Sequence, residues 1–302
     1  MPEIIATKND IAADIELKNY ITLPISCLDP SYPGFSKQAK YEILKAKYYN
    51  QLITDGLETG CIVLINNNIP RFCFTNMNFE SVAGFIFESY VVNQININKR
   101  TIGRRLFELC TKRQKTNNDY IDQFSAIGTG FISTDQLYPG LYNRSSNADI
   151  IFIRQNKEGI YEPATVMGTT NTAGIQVKAI TYGEKEAIVD KVLRERYSCV
   201  LTLLSHRKNG DCLHSATHCR LILKSMREID PLIKNKALMN IVAPEDVGLD
   251  QHEIDDYYQF ILAWMNGQAL PDDNINNGAG MEIKTQKYSE GVLVPNRFTA
   301  VP

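Results

Sequence analysis

The sequence predicts an α/β fold, and three observations carry that prediction. A 3.6-residue apolar stripe runs through Phe79, Val82, Ala83, Ile86, Phe87, Tyr90 and Val91. Apolar runs of strand length follow at 149–154, 174–180 and 197–204. Between the last two, Gly183 to Arg194 reads as a helix, with Glu184 and Glu186 early and Lys191 and Arg194 late, as the helix dipole favours. At 302 residues, 44% hydrophobic and 22% charged, the chain can bury a sizeable core. A net charge of -2 gives no global attraction for nucleic acid, so any such binding has to rest on a local patch.

The elements follow in order. After the Pro33-Gly34 break, Tyr41, Leu44, Tyr48 and Leu52 recur at helical spacing and predict an amphipathic helix over 37–54. Cys61 to Ile65 and Arg71 to Phe74 flank Asn66-Asn67-Asn68, the composition of a hairpin. Asn78 is a candidate N-cap for the striped helix, which reaches about Ile95. Ile102 to Leu109 predicts another helix. The Gly and Thr content of Phe124 to Leu137 suits an irregular strand or turn. Beyond the last apolar run, Leu213 to Glu228 and His252 to Asn266 predict helices, and 268–302 reads as loop and tail. The resulting organisation is an N-terminal helix and hairpin addition (1–77), a core (78–206), and a C-terminal helical addition with tail (207–302).

Several function classes drop out. No stretch approaches the roughly 20 apolar residues of a membrane span, and Met1 to Lys8 lacks the design of a signal peptide. A cytoplasmic protein without a membrane partner is expected. Seven cysteines, an odd number without secreted-scaffold spacing, read as reduced core thiols. Neither Gly-x-x-x-x-Gly-Lys-[Ser/Thr] nor Gly-x-Ser-x-Gly occurs, so no intrinsic nucleotide motor is expected.

The chemistry concentrates on two strands. Side chains alternate along a strand, so Gln176 and Lys178 share one face while Ile175, Val177 and Ala179 take the other. A lysine flanked by apolar residues in a buried strand is costly unless something uses its charge. Asp149 opens the strand before it.

This arrangement, an acid, a spacer and Gln-x-Lys, resembles the PD-(D/E)XK nuclease superfamily, in the variant where glutamine replaces the second acid. The resemblance covers roughly 78–206. It implies a restriction-endonuclease-like core: helix, three strands, helix, strand, with a mixed sheet flanked by helices. It also implies one more acid on the preceding helix, for which Glu88 is the candidate and Glu80 a rival. The family's usual proline before the first acid is absent, since Ala148 stands there.

The implied function is a metal-dependent DNA endonuclease, in restriction or anti-phage defence. Asp149, the Gln176 amide oxygen, the Val177 backbone carbonyl and a water-bridged Glu88 would hold Mg²⁺, or Mn²⁺ in its place. Lys178 would orient the attacking water or stabilise developing charge. Cutting both strands would favour a homodimer, and a separate ATPase or other defence-system subunit is a compatible partner. Gln176 supplies no charge, which keeps open a catalytically silent module of the same fold that binds nucleic acid or a partner protein. A third reading is an unrelated metabolic α/β protein in which Gln176 and Lys178 are incidental.

Two further clusters stand out. Lys99, Arg100, Arg104, Arg105, Lys112, Arg113 and Lys115 face a single acid, Glu108, in one short run. Such a run can track a DNA backbone through counterion release, or simply be a solvated helix face. Cys212, His214 and His218 have a spacing that Zn²⁺ could use on a helix. A loop-to-helix junction with polar caps accounts for the same residues.

Overall fold

The computed structural model describes residues 20–24, 37–65, 69–73, 79–208, 211–265 and 291–295. The chain divides into two compact units, the first Met1–Thr54, Val63–Arg71 and Asp256–Pro302, the second Asp55–Ile62 and Phe72–Asp255.

In the first unit, Tyr48 from the helix Lys37–Thr59 stacks on Tyr257 at 5.2 Å between ring centroids, and Tyr49 tilts against Trp264 at 5.9 Å. Both partners lie on the helix Gln251–Met265. Strand Tyr20–Pro24 pairs antiparallel with Gly291–Pro295. The segment expected as loop and tail therefore contains a strand. The hairpin expectation is met by strands Ile62–Ile65 and Ile69–Phe72, while Asn66 to Asn68 lie outside the described residues.

The second unit is built on a six-stranded mixed sheet. Its strands in chain order are β1 (Ser125–Gly128), β2 (Ile150–Gln155), β3 (Tyr161–Pro163), β4 (Gly174–Lys178), β5 (Val200–Thr202) and β6 (Ile241–Val242). Across the sheet the order is β6-β5-β4-β2-β1, with β3 pairing β2. Pairings of β2 with β1, β3 and β4 are antiparallel, whereas β4, β5 and β6 run parallel. Ile153 pairs with Ser125 and also with Pro163, so β3 continues the edge of β2 that β4 occupies. The sheet takes its last strand from beyond residue 206, where only helices and tail were expected.

Pleat parity assigns the two faces. Register pairs Ile150 with Ile175 and Gln176 with Val200, so Ile150, Phe152, Ile175 and Val177 share one face. Phe152 meets Phe107 of the helix Arg104–Thr111 edge-on at 5.1 Å, which sets that helix on this face. On the other face, Val200 packs with Ile188, Val192, Cys219 and Leu223. These come from the segment 185–193 and the helix Ser215–Ser225.

The striped helix is Phe79–Ile97, with Val82, Ala83, Ile86, Phe87, Tyr90 and Val91 all buried. Its predicted cap, Asn78, lies outside the described residues. Near its end, the Asn96 amide donates to the Ala126 carbonyl and accepts from the Ala126 N–H, both at 2.9 Å. A side chain thus satisfies the outer edge of β1, where another strand could otherwise pair. The 102–109 helix is Arg104–Thr111, entered through a π-turn at Lys99–Gly103. Of 124–137, only Ser125–Gly128 is strand, and Ile132–Leu137 is a short helix. The described cysteines are unpaired: Cys61, Cys110, Cys199 and Cys219 are buried and Cys73 is exposed. Among the described residues no helix is long and apolar enough to cross a membrane.

Candidate active site

Asp149 sits one residue before β2, and its backbone is held from both sides. Its N–H donates to the Ile175 carbonyl at 2.9 Å, and its carbonyl accepts the Thr129 N–H at 2.8 Å. The chain crosses here at close quarters. A Cβ on Gly174 would overlap the Ala148 Cβ and stand 2.9 Å from the Ile150 carbonyl oxygen. Glycine is therefore required at the start of β4.

The Asp149 side chain then turns to β4. Its Oδ2 accepts the Val177 backbone N–H at 2.8 Å and the Gln176 side-chain amide. The amide orientation follows from chemistry, since a flip would set two acceptors against each other. Gln176 Oε1 and Asp149 Oδ1 have no hydrogen-bond partner among the described residues. Along a strand the N–H and C=O of one residue point to the same edge, so the Val177 carbonyl faces the Asp149 side. Gln176 is buried, as is Val177.

Lys178 follows two residues on, half-buried, with its Nζ 5.6 Å from the centre of the Tyr197 ring. Its charge acts on both acids. The Glu88 carboxyl is held well above the usual carboxylate range, by burial first and by the Asp149 charge second, while Lys178 pulls it down. Asp149 is raised by burial, against which Lys178, the Val177 N–H and the Gln176 amide all work. Glu88 makes no hydrogen bond to any described residue. The side chain of Glu80 is outside the described residues.

Glu88 and Asp149 line one cavity of about 300 Å³, together with Thr129, Arg144, Ser146 and Cys61. No motif or periodicity marks these last four as site residues. Thr129 and Ser146 support the loop: Thr129 Oγ1 donates to the Ala148 carbonyl at 2.7 Å, and Ser146 Oγ accepts the Ala148 N–H at 3.1 Å. Arg144 is exposed, 5.8 Å from the Tyr142 ring centre, and forms no hydrogen bond or ion pair with a described residue. The available signal was the polar stretch Asn143-Arg144-Ser145-Ser146-Asn147 leading into the acid.

The chemistry of this donor set fits a hard divalent cation. Asp149 and Glu88 are each half-buried, the Asp149 charge raises the cost of ionising Glu88, and a cation between oxygen donors would remove that cost. The free Asp149 Oδ1, Gln176 Oε1, the Val177 carbonyl and Glu88 are all oxygen.

The basic run does not form one stripe. Arg100 pairs with Asp122 at 2.6 Å, and Lys99 Nζ donates to the Asp122 carbonyl at 3.3 Å. Arg104 reaches Asn118 Oδ1 at 3.4 Å. Lys112 donates to the Ser198 carbonyl at 2.9 Å and to Asn240 Oδ1 at 2.7 Å, and Arg113 lies over the Tyr120 ring. Arg105, Lys112, Arg113 and Lys115 line a separate groove.

The histidines part company. His214 is the N-cap of the helix Ser215–Ser225, its Nδ1 accepting the Ala216 N–H at 3.2 Å, while His218 Nδ1 lies 3.4 Å from Glu184 Oε2. The Cys212 side chain is outside the described residues. Among the described residues no three His, Cys, Asp or Glu side chains gather into a metal-holding cluster. Compared with known proteins, the chain matches no family model, no curated protein and no solved structure.

Proposed function

We propose that this chain is a Mg²⁺-dependent DNA endonuclease with a restriction-endonuclease-like core. The carrying observation is the Asp149 carboxylate, tied to Val177 and Gln176, sharing a cavity with Glu88 and an electrostatic neighbourhood with Lys178. Within the second unit the helix Phe79–Ile97, strands β1, β2 and β4, the helical segment 185–193 and strand β5 follow in an order compatible with that core, to which further helices and β6 are added. That order does not by itself assign function.

In this reading Asp149, Gln176 Oε1, the Val177 carbonyl and, through a water, Glu88 would hold Mg²⁺ or Mn²⁺, which would supply charge neutralisation at the phosphate and a more acidic water. Lys178 places a positive charge beside the two acids, where it stabilises the negative charge that develops as water attacks phosphorus. The Tyr197 ring limits where that ammonium can sit. Arg144, uncommitted at the cavity wall, attracts the phosphodiester and orients it. Arg104 and Arg105 add phosphate contacts that carry no sequence information. A homodimer, and a defence role beside an ATPase subunit, remain within the proposal.

One observation favours a second reading. The Gln176 amide is already spent on Asp149, and a neutral donor binds a cation more weakly than a carboxylate, which suits a nucleic-acid-binding module without catalysis. Incubation of plasmid and oligonucleotide DNA with Mg²⁺, Mn²⁺ or EDTA separates the two. Metal-dependent cutting that Lys178→Ala lacks supports the nuclease; binding without cutting by both proteins supports the silent module. Neither binding nor cutting returns weight to a metabolic α/β protein.

A further inference from the structure

We propose that the groove bounded by Arg105, Lys112, Arg113, Lys115 and Lys236 binds the phosphates of a nucleic-acid backbone, at a place separate from the carboxylate cavity. It rests on the nucleic-acid reading above and adds a second contact surface to it.

The groove has a volume of about 770 Å³, and none of its lining residues lines the Asp149 cavity. Five cations converge on it from three parts of the chain: the helix Arg104–Thr111, the loop after it and the helix Pro231–Asn240. Lys236 is already offset by Glu195 at 2.5 Å, which leaves four cations without an acid partner among the described residues, and the two acids that line the groove are engaged elsewhere. Asp246 pairs with Arg220 at 2.6 Å, and Glu108 Oε1 accepts the Thr116 N–H at 2.6 Å. Like charges gathered in a concave site repel one another, and an anion shared among them relieves that cost.

The local backbone is held against its own preference. Lys112, Lys115 and Glu195 are the non-glycine residues with positive φ among the described residues, at 59°, 55° and 55°. Two line the groove, and the third grips Lys236 through an ion pair. Lys112 is the left-handed C-cap of the helix Arg104–Thr111, and left-handed backbone costs about 1–2 kcal/mol at a residue with a Cβ. Tertiary contacts enforce the arrangement: Lys112 is anchored to Ser198 and Asn240, which fixes the loop against the second helix. Arg113 lies over Tyr120 with its Nε buried and without a hydrogen-bond partner among the described residues. Leu109 and the exposed Met239 add apolar lining, a surface on which a sugar can rest between phosphates.

The occupant follows from charge complementarity. A backbone presents phosphates in series, matching cations spread over three elements, whereas a free nucleoside triphosphate presents them at one point. Anisotropy of a labelled duplex and of a labelled single strand, measured on the full chain in EDTA, tests the assignment. Lys115→Ala/Lys236→Ala is compared with Lys224→Ala/Arg227→Ala, which removes equal charge from outside both cavities. The groove pair should weaken binding at least about tenfold and lower the slope of log affinity against log salt by about 1 to 2. The control pair should stay within about twofold, and both should melt with the wild type.

Equal effects from the two pairs, or none from the groove pair, overturn the groove and leave metal-dependent cutting untouched. Absence of oligonucleotide binding by the wild type overturns it as well. A nucleoside triphosphate that binds through Lys115 and Lys236 where oligonucleotides do not would overturn the backbone as occupant. Loss of cutting in Asp149→Asn with unchanged anisotropy keeps the two sites distinguishable.

Discussion

The Asp149 carboxylate acts as a strand partner for Val177: its Oδ2 accepts the Val177 N–H at 2.8 Å just where the β2 backbone ends its pairing with β4. The same oxygen holds the Gln176 amide, so one atom fixes the geometry of three site residues.

Asp149→Asn separates that structural work from the charge. Asparagine keeps an oxygen for the Val177 N–H and removes a carboxylate whose ionisation is opposed by burial. Cleavage should fall at least about a hundredfold, the scale of a lost electrostatic group. The melting temperature in EDTA should be no lower than wild type. Asp149→Ala should melt lower than Asn, because it strands a backbone N–H at a cost of about 1–3 kcal/mol. Normal cutting by the Asn variant would remove Asp149 from the metal site.

Gln176→Glu sets a carboxylate where the amide now donates to Asp149 Oδ2. Two carboxylates in contact cannot both ionise cheaply, so they share a proton or a cation. In EDTA at about pH 8 the variant should melt several degrees below wild type, and the gap should narrow towards about pH 5, where the proton returns. Mg²⁺ should restore the loss and bind more tightly than to wild type. Melting that ignores pH and metal alike would show that position 176 does not reach the cation.

Much of this site was legible because period-two alternation places Gln176 and Lys178 together, and because Asp149 ends a polar run before four apolar residues. The helix stripe from Phe79 was equally plain, and it carried Glu88 to the cavity. Other parts were not. β6 is two residues, Ile241–Val242, too short to announce itself, and it becomes a strand because β5 offers a parallel edge. β3 pairs through Tyr161–Pro163 and ends on a proline, a residue that argues against a strand from sequence alone. Arg144 reaches the cavity by the path of its loop, which no periodicity encodes. The basic run looked continuous because sequence shows charge without partners, and Asp122 takes up Arg100 from 22 residues away.

Glu88 gives the pH dependence its sign. Its folded carboxyl is held above the usual range by burial and then by Asp149, so the folded chain keeps a proton that the unfolded chain releases. Metal-free stability is then lost as pH rises from the ordinary carboxylate range towards the raised folded value. Glu88→Gln removes that contribution. Its melting temperature in EDTA, minus that of wild type, should grow from about pH 5 to about pH 8, while Mg²⁺ stabilises it less than wild type at the upper end. A difference that shrinks with pH would mean Glu88 is ionised and satisfied in the folded chain.

Lys178 gives the sharpest test, because its ammonium is no metal ligand and should affect chemistry more than binding. Lys178→Met keeps the stem that passes Tyr197 and deletes the charge 5.6 Å from that ring centre. DNA and Mg²⁺ affinity should stay within a few-fold of wild type, measured by anisotropy and by metal-dependent melting. Strand cleavage should drop at least about a hundredfold, as for a preorganised electrostatic or proton-transfer group. Lys178→Arg should recover part of the lost rate if charge alone matters, and none if a proton moves through the ammonium, since guanidinium does not release one. Wild-type cutting by the Met variant would end the mechanism, and a Met variant that no longer folds would recast Lys178 as a structural lysine held by Tyr197.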